Sequence, residues 1–277
     1  DVCSSDLKML KITKKVEFSS GENRMSSVAN TQKARELYYS SKSLNVKFLL
    51  EKRFSWMNNF IKDEDIGIEV GSGAGFIKDF IKNKNLKLTD LGNDKHLDFK
   101  NIDAQNTGFA NESFDYVIAS NMIHHIPFPV KFFKEMNRIL KKRGRLIIFE
   151  SYCSIVFQLI TIIMKHEGFD FTVNVWDDTK AKSDENNAWH GNIAVPHLIF
   201  DDKKKFNENL GNFFEIKYEN LSECFIFLNS GGVTSKTKYI PMNRFFLNIL
   251  NYIDKVLIKL LPNIFCMGRK IVLSKVK

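Results

Sequence analysis

The chain has 277 residues, 44% of them hydrophobic and 26% charged, which is typical of a globular protein with one sizeable core. Its formal charge of +9 comes from lysines spread along the chain, without a tight basic cluster and interleaved aromatics, so nucleic-acid binding is disfavoured. We find no signal peptide and no apolar stretch long enough to span a bilayer, and therefore expect a cytoplasmic protein.

The first seven residues and the cysteines set further limits. Residues 1–7 read DVCSSDL, which a common sequencing-adapter stretch would encode in frame, so we expect them to be an artefact. The remaining cysteines are Cys153, Cys224 and Cys266. They are widely spaced, form no CxxC pair and have no histidine at metal-ligand spacing. They indicate a reduced environment and predict no bound metal.

The segment before the first predicted strand favours helix. Apolar residues recur at helical spacing between about residues 25 and 61, among them Leu37, Phe48 and Trp56. We therefore predict that residues 8–63 form an N-terminal helical cap on a sheet.

Residues 66–70 form a short apolar run that ends in three glycines at alternate positions, Gly71, Gly73 and Gly75. The pattern predicts a buried strand that turns into a ligand-binding loop. Glycines carry no Cβ and tolerate positive φ, so a nucleotide-like ligand can lie directly against the backbone.

The residues around these glycines favour S-adenosylmethionine (SAM) over NAD. Phe76 stands where a dinucleotide fingerprint has its third glycine, and Glu69 stands two residues before the loop. Asp90 lies 19 residues after Gly71, close to the spacing of about 20 expected for an acid that binds ribose hydroxyls. Asp94 lies close enough to take that role instead.

Strand and helix patterns alternate beyond the loop, which predicts an α/β fold. The predicted strands cover residues 66–70, 86–90, 102–104, 114–120, 145–150, 213–218 and 271–274. The predicted helices among them cover residues 76–82, 132–140 and 155–164. We therefore expect a doubly wound, mostly parallel, seven-stranded Rossmann-like sheet.

We predict one cofactor-binding domain over residues 64–277, with insertions at about residues 165–200 and 229–262. The second insertion contains apolar residues at helical spacing, which predict an amphipathic helix over residues 243–261. Its apolar face could pack on its own domain or on a second copy of the chain, giving a homo-oligomer. It could also dock on a membrane surface, giving a peripheral membrane contact.

Two further pairs of residues lie at predicted strand ends. Asp103 would place a carboxylate near an adenine amino group, and Ala104 a small side chain against the adenine ring. His124 and His125 follow the fourth strand, where an acceptor would meet the cofactor, and imidazole titrates near neutral pH. The two histidines are therefore the candidates for a general base, if the acceptor must lose a proton.

Residues 66–151 resemble the class I SAM-dependent methyltransferase family, particularly its small-molecule branch. The segment EVGSGAG resembles the first motif of that family, and DAQNTGFANESFDYVIASNMIHHI resembles its third and fourth strand region. One departure is Thr107-Gly108-Phe109, where the family commonly has a Leu-Pro-Phe turn. The resemblance implies SAM contacts at Glu69, Gly71, Gly73, Gly75, Asp90, Asp103, Ala104 and Asn121.

The resemblance implies methyl transfer from SAM to an oxygen or nitrogen of a small molecule, glycan or lipid-linked intermediate. Methylation of nucleic-acid amines is disfavoured, because residues 121–124 read NMIH where such enzymes carry an Asn/Asp-Pro-Pro-aromatic tetrad. Two alternatives stay open: an NAD-dependent oxidoreductase on a Rossmann-like fold, and a non-catalytic SAM-binding subunit.

Overall fold

The computed structural model describes residues 10–19, 21–24, 30–40, 44–234 and 236–276 of the chain. Residues 1–7, which we expect to be an artefact, lie outside the described residues. Across the described ranges, every helix is too short or too polar to cross a lipid bilayer.

The described residues form eight strands: β1 (Lys15–Val16), β2 (Gly67–Val70), β3 (Leu86–Leu88), β4 (Phe114–Ser120), β5 (Leu140–Ser151), β6 (Phe169–Asp170), β7 (Phe214–Ser222) and β8 (Gly268–Lys275). Six of them build one sheet in the order β3-β2-β4-β5-β8-β7. Strands β2 to β5 run parallel, and β8 runs antiparallel to its neighbours β5 and β7. The expected mostly parallel α/β sheet is thereby confirmed.

The helices are α1 (Thr31–Ser40), α2 (Leu44–Phe54), α3 (Pro129–Ile139), α4 (Ile155–Met164), α5 (Val195–Phe200), α6 (Lys203–Leu210), α7 (Phe225–Leu228), α8 (Arg244–Leu260) and α9 (Pro262–Phe265). Three short 3₁₀ segments cover Ser55–Phe60, Phe76–Asp79 and Ile123–His125. Helices α1 and α2 lie within the predicted N-terminal cap. Strand β1, also within that cap, pairs with β6 of the first predicted insertion. The domain boundaries stay predictions.

Both faces of the sheet are buried, as is usual for parallel strands. On β4, Val117 and Ala119 face a core built with α3, α5 and α6. The alternate residues Tyr116 and Ile118 face a second core built with α1, α2 and the 3₁₀ segment after α2. The period of two along the strand therefore divides its side chains between the two cores and makes three layers.

Two predicted elements differ from the structure. The predicted strand at residues 102–104 is reduced to one bridge between Asp103 and Asn106, so the described sheet has six strands rather than seven. The chain cannot stay extended there, because Asn101 has φ of 54° and the Asp103 carboxylate accepts the Gln105 amide in a tight turn.

The predicted helix at residues 76–82 is likewise a single 3₁₀ segment, Phe76–Asp79. Asn58 accounts for its early end. The Asn58 side chain donates to the Phe80 carbonyl and accepts the Lys82 amide, both at 2.9 Å, so a neighbouring segment takes the hydrogen bonds that would extend a helix.

The predicted amphipathic helix is present as α8, and Asn243 caps its first turn. Leu247 and Ile258 are buried against the domain. Asp254 is buried too, although the polar face of α8 would place it in solvent. Its carboxylate accepts three backbone N–H groups at the start of α7, at 2.9–3.1 Å, which anchors α8 to the rest of the chain.

Candidate functional site

The glycine loop follows β2 at the carboxyl end of the parallel strands. Gly71, Gly73 and Gly75 have φ of 66°, 50° and 67°, the left-handed region in which a side chain is strained. A Cβ on Gly73 would meet nothing closer than a Thr31 methyl group at 4.0 Å. The surface above the middle glycine is therefore open to a ligand. On Gly75, by contrast, a Cβ would lie 2.8 Å from Leu88.

Asp90 lies directly against this loop. Its carboxylate accepts the Gly73 amide at 2.8 Å through one oxygen and the Gly92 amide at 2.9 Å through the other. The alternative ribose ligand, Asp94, accepts a hydrogen bond from the Thr31 hydroxyl of α1. Of the two acids, Asp90 is the one that contacts the glycine loop.

Glu69 occupies β2 just before the loop and is buried, with 3% of its surface exposed. Its Oε2 atom has no hydrogen-bond partner among the described residues. Burial, and to a smaller extent the charge of Asp90, raise the pKa of Glu69 to about 8. A hydrogen bond from Ser72 opposes this rise. A buried carboxyl oxygen without a partner beside an open loop fits a ligand that brings a cation.

The remaining predicted contacts lie at the same edge of the sheet. Asn121 follows β4 with φ of 50°, and its amide donates to the Phe149 carbonyl at 2.7 Å. The turn with Asp103 and the buried Ala104 is tied to the Asp90 carbonyl through the Ile102 amide, at 2.9 Å. The structure therefore gathers the predicted SAM residues at one edge, although among the described residues the Asp103 carboxylate accepts hydrogen bonds only from Gln105, within its own turn.

Taken together, these residues fit SAM. Glu69 offers an unpaired buried carboxyl oxygen to the ammonium of the methionine part, and the glycines offer an open backbone surface. Asp90 offers a carboxylate beside that surface, where ribose hydroxyls would need acceptors.

A second group of polar residues surrounds the 3₁₀ segment after β4. His124 is buried between two carboxylates. Its Nδ1 lies 2.7 Å from Oε2 of Glu150, and its Nε2 lies 3.3 Å from Oε2 of Glu167. Burial disfavours a charged ring, but the carboxylates of Glu150 and Glu167 outweigh it and raise the pKa of His124 to about 10.

His125 has a different environment, although its ring centre lies only 4.2 Å from that of His124. Its Nε2 lies 3.6 Å from Oε1 of Glu167, and its Nδ1 has no partner among the described residues. Burial lowers the pKa of His125 to about 4, and the neighbouring His124 charge adds to the effect. His125 is therefore neutral at physiological pH.

Sequence reasoning missed both carboxylates of this group. Glu150 lies near the end of β5, so its position at a strand end was a usable signal. Glu167 lies beyond α4, 42 residues after His125, in a segment without a readable motif. No signal in the sequence pointed to Glu167.

The chain is similar to known methyltransferases over the segment that contains the glycine loop. The sequence profile of the family described as "Methyltransferase domain" matches residues 68–148. A phosphatidylethanolamine N-methyltransferase of Cereibacter sphaeroides is 21% identical over 130 residues, which cover 47% of this chain and 57% of that protein. The ubiquinone/menaquinone biosynthesis C-methyltransferase UbiE of Haemophilus ducreyi is 26% identical over 145 residues, 52% of this chain and 55% of that protein. The chain thus spans about half the length of the curated relatives it matches.

Among solved structures, a SAM-dependent methyltransferase from Archaeoglobus fulgidus aligns with 87% of this chain and 99% of its own, at 13% identity and a TM-score of 0.48. The matches give no support to an NAD-dependent oxidoreductase or to a non-catalytic subunit. The matched segment contains β2 apart from its first residue, the glycine loop, Asp90 and β4. Residues 68–148 therefore form a methyltransferase domain of the kind found in SAM-dependent methyltransferases.

Proposed function

We propose that the chain is an enzyme that transfers the methyl group of SAM to an oxygen or nitrogen of a lipid-like or lipid-linked small molecule. The observation that carries the methyl-transfer part is the unpaired buried carboxyl of Glu69 beside the open loop at Gly73. The small-molecule and glycan acceptors predicted from the sequence remain alternatives for the same reaction.

When bound, SAM supplies an electrophilic methyl group on its sulfonium. Displacement at that methyl group requires alignment and exclusion of water more than proton chemistry. Within the proposal, Glu69 holds the ammonium, the glycine loop holds the methionine backbone, and Asp90 holds the ribose hydroxyls. Asp103 and Ala104 border the adenine, and Asn121 closes the site from the β4 side.

The predicted general base then rests on His125 rather than His124. With a pKa near 10 and both ring nitrogens facing carboxylates, His124 is already protonated at neutral pH and cannot accept a proton. His125 is neutral, and its Nδ1 is unpartnered among the described residues. Its lowered pKa makes it a weak base, suited to an acceptor that loses its proton easily.

The choice of a lipid-like acceptor rests on two observations. The names of the relatives specify phosphatidylethanolamine and quinone-type substrates for those proteins. In this chain, α8 exposes an apolar stripe on the side opposite to Leu247 and Ile258. The stripe consists of Phe245, Ile249, Tyr252, Val256 and Leu260, of which the two aromatic residues and Leu260 are each 68% exposed.

Basic residues flank this stripe. Arg244, Lys255 and Lys259 are exposed on the same helix. A helix with an exposed aromatic and aliphatic stripe and basic neighbours suits the surface of an anionic bilayer, where apolar side chains enter the headgroup region. We therefore propose that α8 makes a peripheral membrane contact and brings the site to lipid-linked acceptors. A second copy of the chain on the same stripe is the competing occupant.

The test of this function is methyl incorporation from radiolabelled SAM into fractionated cell extract. The proposal predicts labelled product in the organic-extractable fraction, dependent on the wild-type chain and reduced with Asp90→Ala. A polar, low-mass labelled product would keep the methyl transfer and overturn the lipid-like acceptor. Absence of labelled product in every fraction would overturn the enzyme.

A further inference from the structure

We propose that His124, His125 and Glu167 form a binding site for a divalent transition-metal ion such as Zn²⁺. One ligand atom from each residue can be chosen so that all three lie within 4.8 Å of one another. The residues come from two distant parts of the chain, the 3₁₀ segment after β4 and the turn after α4. The site rests on geometry and not on the proposed methyl transfer. An ion bound to Nε2 of His125 would keep the proton on Nδ1 and so exclude the general-base role proposed for that residue.

The distances from Glu167 to the two histidines are close to those between ligands of one ion. Nε2 of His124 lies 3.3 Å from one oxygen of Glu167, and Nε2 of His125 lies 3.6 Å from the other. In a tetrahedral zinc site with bonds of about 2.0–2.1 Å, neighbouring ligand atoms are roughly 3.3 Å apart. Both imidazoles therefore stand at ligand-to-ligand distance from Glu167, and binding of an ion would displace the proton that His124 holds between its carboxylates.

A further carboxylate orients the first histidine. Glu150 lies 2.7 Å from Nδ1 of His124 and also accepts the amides of Ile123 and Ser151, at 2.6 and 2.9 Å. These bonds fix the imidazole ring with Nε2 toward Glu167. An acid that holds the far nitrogen of a metal-binding histidine is the usual outer partner in zinc sites.

Gly191 closes the other side of the cluster. A Cβ at this position would lie 2.8 Å from His124, 3.0 Å from Nδ1 of His125 and 3.1 Å from a Glu167 oxygen. A side chain would therefore enter the space between the three residues. The next residue, Asn192, fixes this approach through its amide, which donates to the His124 carbonyl at 2.8 Å.

The chemistry of the donors selects the class of ion. Two imidazoles and one carboxylate suit Zn²⁺ and its neighbours Co²⁺ and Fe²⁺, whereas Ca²⁺ and Mg²⁺ prefer oxygen ligands. Three protein ligands leave one position of a tetrahedral ion for water or another small ligand. Such an ion would link the turn that carries Asn121 to the first predicted insertion.

The test uses the purified full chain, treated with a chelator and dialysed. Calorimetric titration with Zn²⁺ should show one high-affinity site per chain, and Co²⁺ should give the visible absorption bands of a tetrahedral site. Glu167→Gln should weaken Zn²⁺ binding at least 100-fold. Glu150→Gln, which removes the orienting partner, should weaken it roughly 10- to 100-fold. His190→Ala is the matched control, since His190 lies outside the cluster. The affinity of this variant for Zn²⁺ should equal that of the wild type.

Two results would overturn the site. One is a folded wild-type chain that binds no stoichiometric Zn²⁺, in which case the cluster is an ion-paired histidine group only. The other is an affinity equal in the wild type, Glu167→Gln and His125→Gln, which would place the ion elsewhere. Should Glu167→Gln fail to fold, the Zn²⁺ affinity of His125→Gln and the Co²⁺ spectrum of the wild type still test whether the ion binds at this cluster. Binding of S-adenosylhomocysteine, measured separately, reports on the methyltransferase proposal.

Discussion

The Asp90 carboxylate accepts a hydrogen bond from the Gly73 amide at 2.8 Å. This contact joins the end of the β3 segment to the middle of the glycine loop. The acidic anchor and the backbone surface of the proposed SAM site are therefore fixed relative to each other within the protein itself, which reduces the ordering cost of binding.

Replacing Gly73 should separate ligand binding from backbone strain. Gly73→Ala places a Cβ on the open surface of the loop, so we expect loss of S-adenosylhomocysteine binding by at least tenfold. Both Gly73 and Gly108 have positive φ, and a Cβ on Gly108 would meet nothing within 4 Å. Gly108→Ala is therefore the matched control, with a similar stability cost of about 1–2 kcal/mol. Calorimetry and thermal melts measure both effects, and equal affinities in the two variants would refute the assignment of the loop.

Glu69 should make the stability of the ligand-free chain depend on pH. Its folded pKa of about 8 exceeds the ordinary value of 4.5, so between these pH values the folded state holds a proton that the unfolded state has lost. The free energy of unfolding should therefore fall as pH rises from about 4.5 to 8. Glu69→Gln lacks this contribution, and its stability relative to wild type should increase with pH in urea denaturation. A difference that stays constant over this range would contradict the raised pKa.

Glu69 should also release a proton when the cofactor binds. A ligand ammonium beside its carboxyl favours the charged form and lowers the pKa of Glu69. At pH 7, binding of S-adenosylhomocysteine should release up to about one proton, seen as a binding enthalpy that varies with the ionisation enthalpy of the buffer. Glu69→Gln should remove most of this dependence. A buffer-independent enthalpy in the wild type would argue against the ammonium contact.

The exposed stripe of α8 should carry the membrane contact. Phe245 and Tyr252 are each 68% exposed, so the double substitution Phe245→Ser and Tyr252→Ser should leave folding intact and reduce co-sedimentation with anionic vesicles severalfold. Ile66→Ser removes another half-exposed apolar side chain, directly before β2, and should leave vesicle binding unchanged. Light scattering measures the oligomeric state and so tests whether a second copy of the chain covers the stripe instead. A wild-type dimer that the double substitution converts to a monomer, without vesicle binding, would identify the stripe as a subunit interface.

The buried pair of Arg53 and Glu223 should anchor the N-terminal cap. The guanidinium donates to both carboxylate oxygens, at 2.5 and 2.9 Å, and both side chains are almost fully buried. Arg53→Met leaves the carboxylate buried without its partner and should cost about 3–5 kcal/mol of unfolding free energy. The double variant Arg53→Met with Glu223→Leu should recover much of the loss, because neither charge is then stranded. A small effect of the single substitution in urea denaturation would contradict this role.

Local patterns determined the parts of the fold that the sequence predicts well. The run before Gly71 and the apolar residues of β4 carry the strand period, and α8 carries the helical period. The failures arose where tertiary contacts replaced local ones. Asn58 ends the helix expected after Gly75, and the Asp103 turn breaks the expected third strand.

The candidate site likewise has a part that local sequence motifs predict and a part that depends on contacts between distant residues. The residues from Glu69 to Asn121 stand at family spacing and could be placed from the sequence. The cluster around His124 depends on Glu167, which only the return of the chain after α4 brings within 3.3 Å. Such a pairing of distant residues has no periodic or spacing signal, so it could not be predicted from the sequence.

The most direct test of the central claim is calorimetric titration of the wild-type chain with S-adenosylhomocysteine, alongside Asp90→Ala and Asp94→Ala. We predict one site per chain, an affinity reduced roughly tenfold or more in Asp90→Ala, little change in Asp94→Ala, and no binding of NADH. The reduction corresponds to the loss of hydrogen bonds to a charged group, worth about 1.5–3 kcal/mol. Absence of S-adenosylhomocysteine binding by the folded wild type would contradict the account.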